Sequence, residues 1–264
     1  MRRGTMFWGF FLVIIGLILL LDNLGLFRGI NVWSLIWPIV LILFGIRVLF
    51  GTLYRRAPTT EHASIPLEGA QRASLRMQHG AGRIRVQAGT APGILAEGDF
   101  TGGVDIQSQR EGDRQSVKLR VSEHFFPFDW TPGNAFDWSI NLSQEIPLEL
   151  EFETGAGEAR LDLTELRVSD LWLKSGASST SINLPANAGH TRVKIEAGAA
   201  SVDLNVPQGV AARIRSQGGL SSIKVDPNRF PSSGTNLYQS EDYDTAANKI
   251  EMDIQMGVGS VNVN

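Results

Sequence analysis

Leu148-Glu149-Leu150-Glu151-Phe152-Glu153-Thr154-Gly155-Ala156-Gly157-Glu158-Ala159-Arg160-Leu161-Asp162-Leu163 is the stretch that decides the fold. A period of two places Leu148, Leu150 and Phe152 on one face and three glutamates on the other, which is the pattern of a half-buried strand and not of a helix. The alternation stops at Gly155-Ala156-Gly157 and resumes with Ala159, Leu161 and Leu163. The unit is therefore strand, glycine turn, strand.

That unit recurs. Its glycine elements are Gly80-Ala81-Gly82, Gly155-Ala156-Gly157, Gly176-Ala177-Ser178, Gly198-Ala199-Ala200, Gly218-Gly219-Leu220 and Gly257-Val258-Gly259. The middle four start 21, 22 and 20 residues apart, and the last begins 39 further on, about two periods. Alternating segments flank them, such as Val193/Ile195/Ala197 before a turn and Val202/Leu204/Val206 after it. One such unit cannot bury its apolar face alone, so neighbours must stack into a continuous core. The expected fold over residues 65–264 is an all-β, solenoid-like stack, either closed as a solenoid or open as a sandwich. Gly80, Gly82, Gly155, Gly157, Gly176, Gly198, Gly218, Gly257 and Gly259 are read as structural turn residues that permit positive φ and close approach of successive layers. A phosphate cradle is the poorer reading, because no element completes G-x-G-x-x-G and each leads into a strand.

The N-terminal part has a different character. Residues Phe7–Leu21 are uninterruptedly apolar or Gly, and Leu24, Leu26 and Phe27 extend the segment to the roughly 20 residues that a bilayer core requires. Its Phe, Leu, Ile and Val residues contribute about −5 kcal/mol together on an insertion scale. A second segment spans about 33–54, with Trp33, Trp37 and Tyr54 suited to interfacial positions and with Pro38 in its first two turns. Arg47 is close enough to the end to reach the headgroups. The expected organisation is a two-helix transmembrane hairpin in residues 1–54 (about 7–27 and 33–54), a linker over 55–64 and the β domain beyond.

Charge follows the same division. Six arginines and one acid up to Thr60 give +5, whereas the remaining 18 Lys+Arg and 26 Asp+Glu give −8. Scattered bases on an acidic domain argue against nucleic acid. Arg2 and Arg3 before the first helix and Arg55 and Arg56 after the second, against Arg28 between them, predict both chain ends and the β domain in the cytoplasm. With no cysteine, disulfides, thiolate metal sites and thiol nucleophiles are excluded.

Two resemblances follow from particular residues. Trp8-Gly9-Phe10-Phe11, Leu21-Asp22-Asn23-Leu24-Gly25 and Trp37-Pro38-Ile39 through Phe44-Gly45 resemble the transmembrane region of LiaI/LiaF-like bacterial membrane proteins. The Gly-Ala-Gly β repeats resemble the toastrack, or adhesin-like, domain that accompanies it. The resemblance implies a bacterial cell-membrane protein and, in the LiaF case, an accessory that restrains a sensor histidine kinase responding to envelope stress. It transfers no catalytic residue.

Chemistry is otherwise sparse. His62, His79, His124 and His190 lie far apart and are read as solvated turn or strand residues, so no metal site is expected. Ser221-Ser222-Ile223-Lys224 fits S-x-x-K, but on a strand its serine and lysine diverge. Glu149, Glu151 and Glu153 stand about 7 Å apart on one strand face; a solvated face explains them better than a hydrolase or lyase site. The expectation is a non-enzymatic protein without cofactors, whose partners are the bilayer, a membrane or signalling protein such as a sensor kinase, and a second copy of the chain. A surface adhesin is the alternative, and a β-helical carbohydrate enzyme would need a clustered acid pair that is not evident. Phe125, Phe126, Phe128, Trp130, Phe136 and Trp138, six aromatics in fourteen residues broken by Pro and Gly, form the least ordinary segment. They are read either as a loop that caps the core or as a partner contact.

Overall fold

The computed structural model describes Trp37, Pro38, Leu41 and residues 60–122 and 136–264. The chain divides into two units, Met1–Ala57 and Pro58–Asn264. In the first, Trp37, Pro38 and Leu41 are helical; the rest of the expected hairpin lies outside the described residues.

The second unit is built from six long strands: β2 (Arg72–Ala88), β7 (Leu148–Asp162), β8 (Val168–Asn183), β9 (His190–Asn205), β10 (Ala211–Val225) and β13 (Lys249–Val263). They pair in parallel in the order β2-β7-β8-β9-β13-β10. Shorter strands complete the sheet: β1 (Thr60–Pro66), β3 (Ile94–Thr101), β4 (Val104–Glu111), β5 (Arg114–Val121), β6 (Phe136–Leu142), β11 (Ser232–Gly234) and β12 (Leu237–Gln239). β1 occupies residues 60–64 of the segment read as linker. It pairs along its length with β3 and buries Ile65, and its polar composition is that of an edge strand.

Chain geometry shows why these strands cannot be straight. A strand of 15 residues is about 50 Å long. Five residues, 163–167, join β7 to the parallel β8, and five, 206–210, join β9 to β10. Five residues reach no more than about 18 Å. Each long strand must therefore double back, and it does so at its glycine element. The ladder itself continues through the corner, with Thr154 opposite Ser175 and Ala156 opposite Ala177. The glycines are thus bends within one strand, not turns between two.

Both limbs of each strand then face one core. Leu150 and Phe152 from the first limb of β7 and Ala159 and Leu161 from its second belong to the same buried cluster. The last inward residue before the corner and the first after it are five positions apart in His79/Ile84, Ser175/Thr180 and Met256/Val261, and three apart in Ala197/Ala200. This odd spacing switches the parity of the alternation and keeps the apolar side inward on both limbs. The result is a solenoid-like coil flattened into two layers.

Its stacking order departs from chain order. β13 inserts between β9 and β10, because residues 226–248 leave the stack, bury Phe230 and Tyr243, and lay β12 against the first limb of β10 before returning. The near-double period before Gly257 is the sequence trace of this excursion. At the opposite end the layers separate: the first limb of β2 continues to β5 and β4, the second to β6, β3 and β1.

The corner glycines form a spine. A Cβ on Gly198 would stand 2.9 Å from the Gly176 carbonyl oxygen, and one on Gly257 would stand 2.8 Å from that of Gly198. At β10 the pairing of Gly218 with Met256 and of Leu220 with Val258 puts Gly219, not Gly218, on the spine. A Cβ on Gly218 would meet the movable Ser221 hydroxyl instead.

Candidate functional site

The outward side chains of the first limbs form ladders because the parallel strands are in register. One row is Ser74, Glu149, Asp170, Arg192, Glu251 and Arg213; the next is Arg76, Glu151, Trp172, Lys194, Asp253 and Arg215. β5 extends them with Ser116 and Lys118. Together these residues line a groove of about 770 Å³ across the strands, within the usual range for ligand sites.

The three strand glutamates lie in a web of cations, neither free in solvent nor forming an isolated acid pair. Arg114 bonds Glu149 at 2.5 Å, and Arg76 bonds Glu153 at 2.5 Å and approaches Glu151 at 3.3 Å. Gln78 also donates to Glu153, and Lys174 lies within 4 Å of both Glu151 and Glu153. The hydrogen bond from Arg76, then that from Gln78, holds the Glu153 carboxyl below its usual range, the reverse of what a general acid at neutral pH requires. Asp170 pairs with Arg192 at 2.6 Å.

Trp172 stands in the middle of this face, with the Lys174 ammonium 3.7 Å and that of Lys194 5.0 Å from its ring centre. The periodicity gave no notice of Trp172, since a tryptophan at an outward position looks like any other member of the alternation. Register with charged neighbours on both sides is the signal that distinguishes it.

Polar atoms without a hydrogen-bond partner concentrate here. Of the eight such buried side-chain atoms among the described residues, four fall in one row: Arg76 Nε, Glu151 Oε1, Trp172 Nε1 and Asp253 Oδ1. Glu151 Oε1 still has the Arg76 guanidinium 3.3 Å away, so the unmet atoms of the row are Arg76 Nε, Trp172 Nε1 and Asp253 Oδ1, at a cost of roughly 1–3 kcal/mol each. A ligand able to pair with them would recover that energy.

The aromatic segment resolves unequally. Phe125, Phe126, Phe128 and Trp130 lie outside the described residues. Phe136 is half-buried over Gly102, where a Cβ would meet its ring. Trp138 is in the core, 1 % exposed, edge-on to Phe100 and His79. Its inward position on β6 leaves no indole surface for a partner. His79 also departs from the solvated reading. It is 3 % exposed, its Nε2 lies 3.0 Å from the Phe136 carbonyl, and burial pushes its pKa down. His62 and His190 are exposed beside Asp99 and Glu251, and His124 lies outside the described residues. Among the described residues no group of three or more His, Asp or Glu could hold a metal ion.

Known proteins add to this geometry. Residues 55–205 match the N-terminal domain of toast_rack, DUF2154. The chain belongs to the toast_rack family. Residues 6–49 match the LiaI-LiaF-like transmembrane region, which marks this toast_rack chain as membrane-associated. A candidate cell adhesion protein from Clostridium sporogenes ATCC 15579 superposes with a TM-score of 0.72 at 22 % identity, over 78 % of this chain and 98 % of the other. A candidate adhesin from Bacteroides fragilis NCTC 9343 aligns at 9 % identity over 78 % and 97 %, with a TM-score of 0.30. No curated protein matches significantly.

Proposed function

We propose that this toast_rack chain is a non-enzymatic regulator or scaffold of the bacterial cell envelope, which tethers a protein-binding β domain to the membrane. The observation that carries the reading is the cross-strand groove on the first limbs, with its row of unpaired polar atoms, in a chain that also holds a LiaI-LiaF-like membrane region. Tethering works through concentration. A domain held at the bilayer meets membrane partners at an effective concentration far above that of a free protein.

The arginine distribution around the two apolar segments favours a two-pass anchor with the β domain in the cytoplasm. A sensor histidine kinase of the envelope-stress type is the partner that the LiaF-like region suggests. Phe125, Phe126, Phe128 and Trp130 are a second candidate contact, since clustered aromatic side chains suit protein partners.

Protease accessibility of a C-terminally tagged chain in intact cells and inverted vesicles tests the orientation. Protection in cells with digestion in inverted vesicles is expected; digestion in intact cells would favour an exported adhesin. Regulation is read from a kinase-driven reporter in cells carrying either the intact chain or one with Trp172→Glu and Lys194→Glu. Loss of restraint with the double variant is the expected result.

A further inference from the structure

We infer that the groove takes an extended polypeptide segment of about nine residues, carrying acidic side chains near both ends, laid across the strands from Lys118 to Arg215. The inference rests on the protein-binding reading above and specifies its chemistry.

The floor of the groove favours a polypeptide over other polymers. Glu149, Glu151, Asp170, Glu251 and Asp253 all line it, so a uniform polyanion would meet like charge along its length. A neutral glycan would bring no charge to the Arg, Lys, Glu and Asp side chains that line the groove. A polypeptide offers both signs of charge. Its backbone also supplies acceptors for Arg76 Nε and Trp172 Nε1 and a donor for Asp253 Oδ1. Arg76, Lys174 and Lys194 are long side chains on an outer face and can swing aside to admit it.

Its ends are set by the cations that the fold leaves over. Among the described groove residues Arg76, Arg114, Arg192, Lys194 and Arg213 each have a carboxylate partner. Lys118 and Arg215 have none, and they are the outermost charged residues of one register row, Lys118-Arg76-Glu151-Trp172-Lys194-Asp253-Arg215, which is flanked by the uncharged Gln107 and Leu237. Six strand spacings of about 4.8 Å separate them by about 29 Å, the length of about nine extended residues.

The probe is a fluorescein-labelled peptide, Glu-Ser-Gly-Ser-Gly-Ser-Gly-Ser-Glu with a blocked C-terminus, titrated by anisotropy against the full chain in detergent micelles. Its counterpart with lysine at both ends is the control. The Glu-ended peptide is expected to bind at least about tenfold more tightly at low salt. In the Lys118→Glu, Arg215→Glu double variant, checked for an unchanged melting temperature, the preference should reverse. Equal affinity for the two peptides, or a preference that the double variant leaves in place, would overturn the inference. If that happens while Trp172→Glu with Lys194→Glu still releases the reporter, the scaffold reading stands and the acidic-ended segment falls; if the reporter is also unmoved, both fall.

Discussion

A Cβ built on Gly176 would stand 2.5 Å from the carbonyl oxygen of Gly155, the glycine one layer below it in the stack. No real Cβ comes that close, so the two layers would have to part. Gly155, Gly198 and Gly257 stand in the same relation to the glycine beneath them, whereas a Cβ on Gly80, at the start of the spine, meets nothing within 4 Å. Gly176→Val, Gly155→Val and Gly198→Val are each expected to lower stability by about 2 kcal/mol or more, and Gly80→Ala to change it by less than about 1 kcal/mol. Denaturant unfolding measures both. A Gly80 variant as damaging as a Gly155 variant would mean that the spine does not control spacing.

Gly157 adds backbone strain to crowding, with φ at 137° in a region that L side chains rarely adopt. Gly218 lacks the positive φ, and what crowds it is the Ser221 side chain, whose hydroxyl can rotate, and not a neighbouring backbone. Gly157→Ala should therefore cost about 1–3 kcal/mol and Gly218→Ala much less, a contrast that thermal melts of the two variants would reveal.

The repeat was legible because the chemistry that makes a bent strand is local. Alternation gave the inward faces, and Gly155-Ala156-Gly157 gave the corner. What was not legible is long-range. Nothing local in Lys249–Val263 says that it inserts between β9 and β10, since its pattern of Ile250, Met252 and Ile254 would suit any layer. The face is similar: Glu149, Glu151 and Glu153 read as a solvated row until register brings Arg76, Arg114 and Lys174 against them. Likewise Trp138 and Trp172 are both single tryptophans in alternating segments, and only the layer beneath each decides whether it is core or surface.

The internal position of β13 makes the C-terminus indispensable. Val261 and Val263 are almost fully buried, and β13 pairs on one side with β9 and on the other with β10. Deleting Gly257 to Asn264 would strip the second limbs of both neighbours of their partner. The truncated chain should fail to accumulate in folded form, as judged by a cooperative melt; an unchanged melting temperature would contradict the strand order.

His79 links stability to pH. Burial lowers its pKa from the ordinary value near 6.5, so the unfolded chain takes up the proton first as pH falls. Asp137 is the charged group that acts on it, and Glu153, Lys174 and Glu196 line the same pocket at the corner, while the ring is edge-on to Trp138 and its Nε2 meets the Phe136 carbonyl. Its contribution is therefore fully present above about pH 6.5 and is lost progressively below it, down through the lowered folded pKa. The melting temperature should drop between pH 7.5 and 5.5, and His79→Gln should flatten that drop even if it lowers stability at neutral pH. An equally steep fall in the variant would assign the effect to other groups.

The two tryptophans separate the fold from its face. Trp138 fills the core beside Phe100, and truncating it to Ala should cost about 3–5 kcal/mol, the usual range for a buried aromatic. Trp172 is half-buried and gains stability through the lysines lying over it, worth about 0.5–2 kcal/mol for a cation over an aromatic ring. Its removal also spares a buried indole N–H its missing partner, which offsets part of even that loss. Trp172→Ala should thus melt close to the parent while weakening binding at the groove, because the lysines and the donor it organises would be released together. Chemical denaturation of both variants, with the Glu-ended peptide titrated against Trp172→Ala, decides the matter. If Trp172→Ala were as unstable as Trp138→Ala, the first-limb outer face would be a second core and not a binding surface.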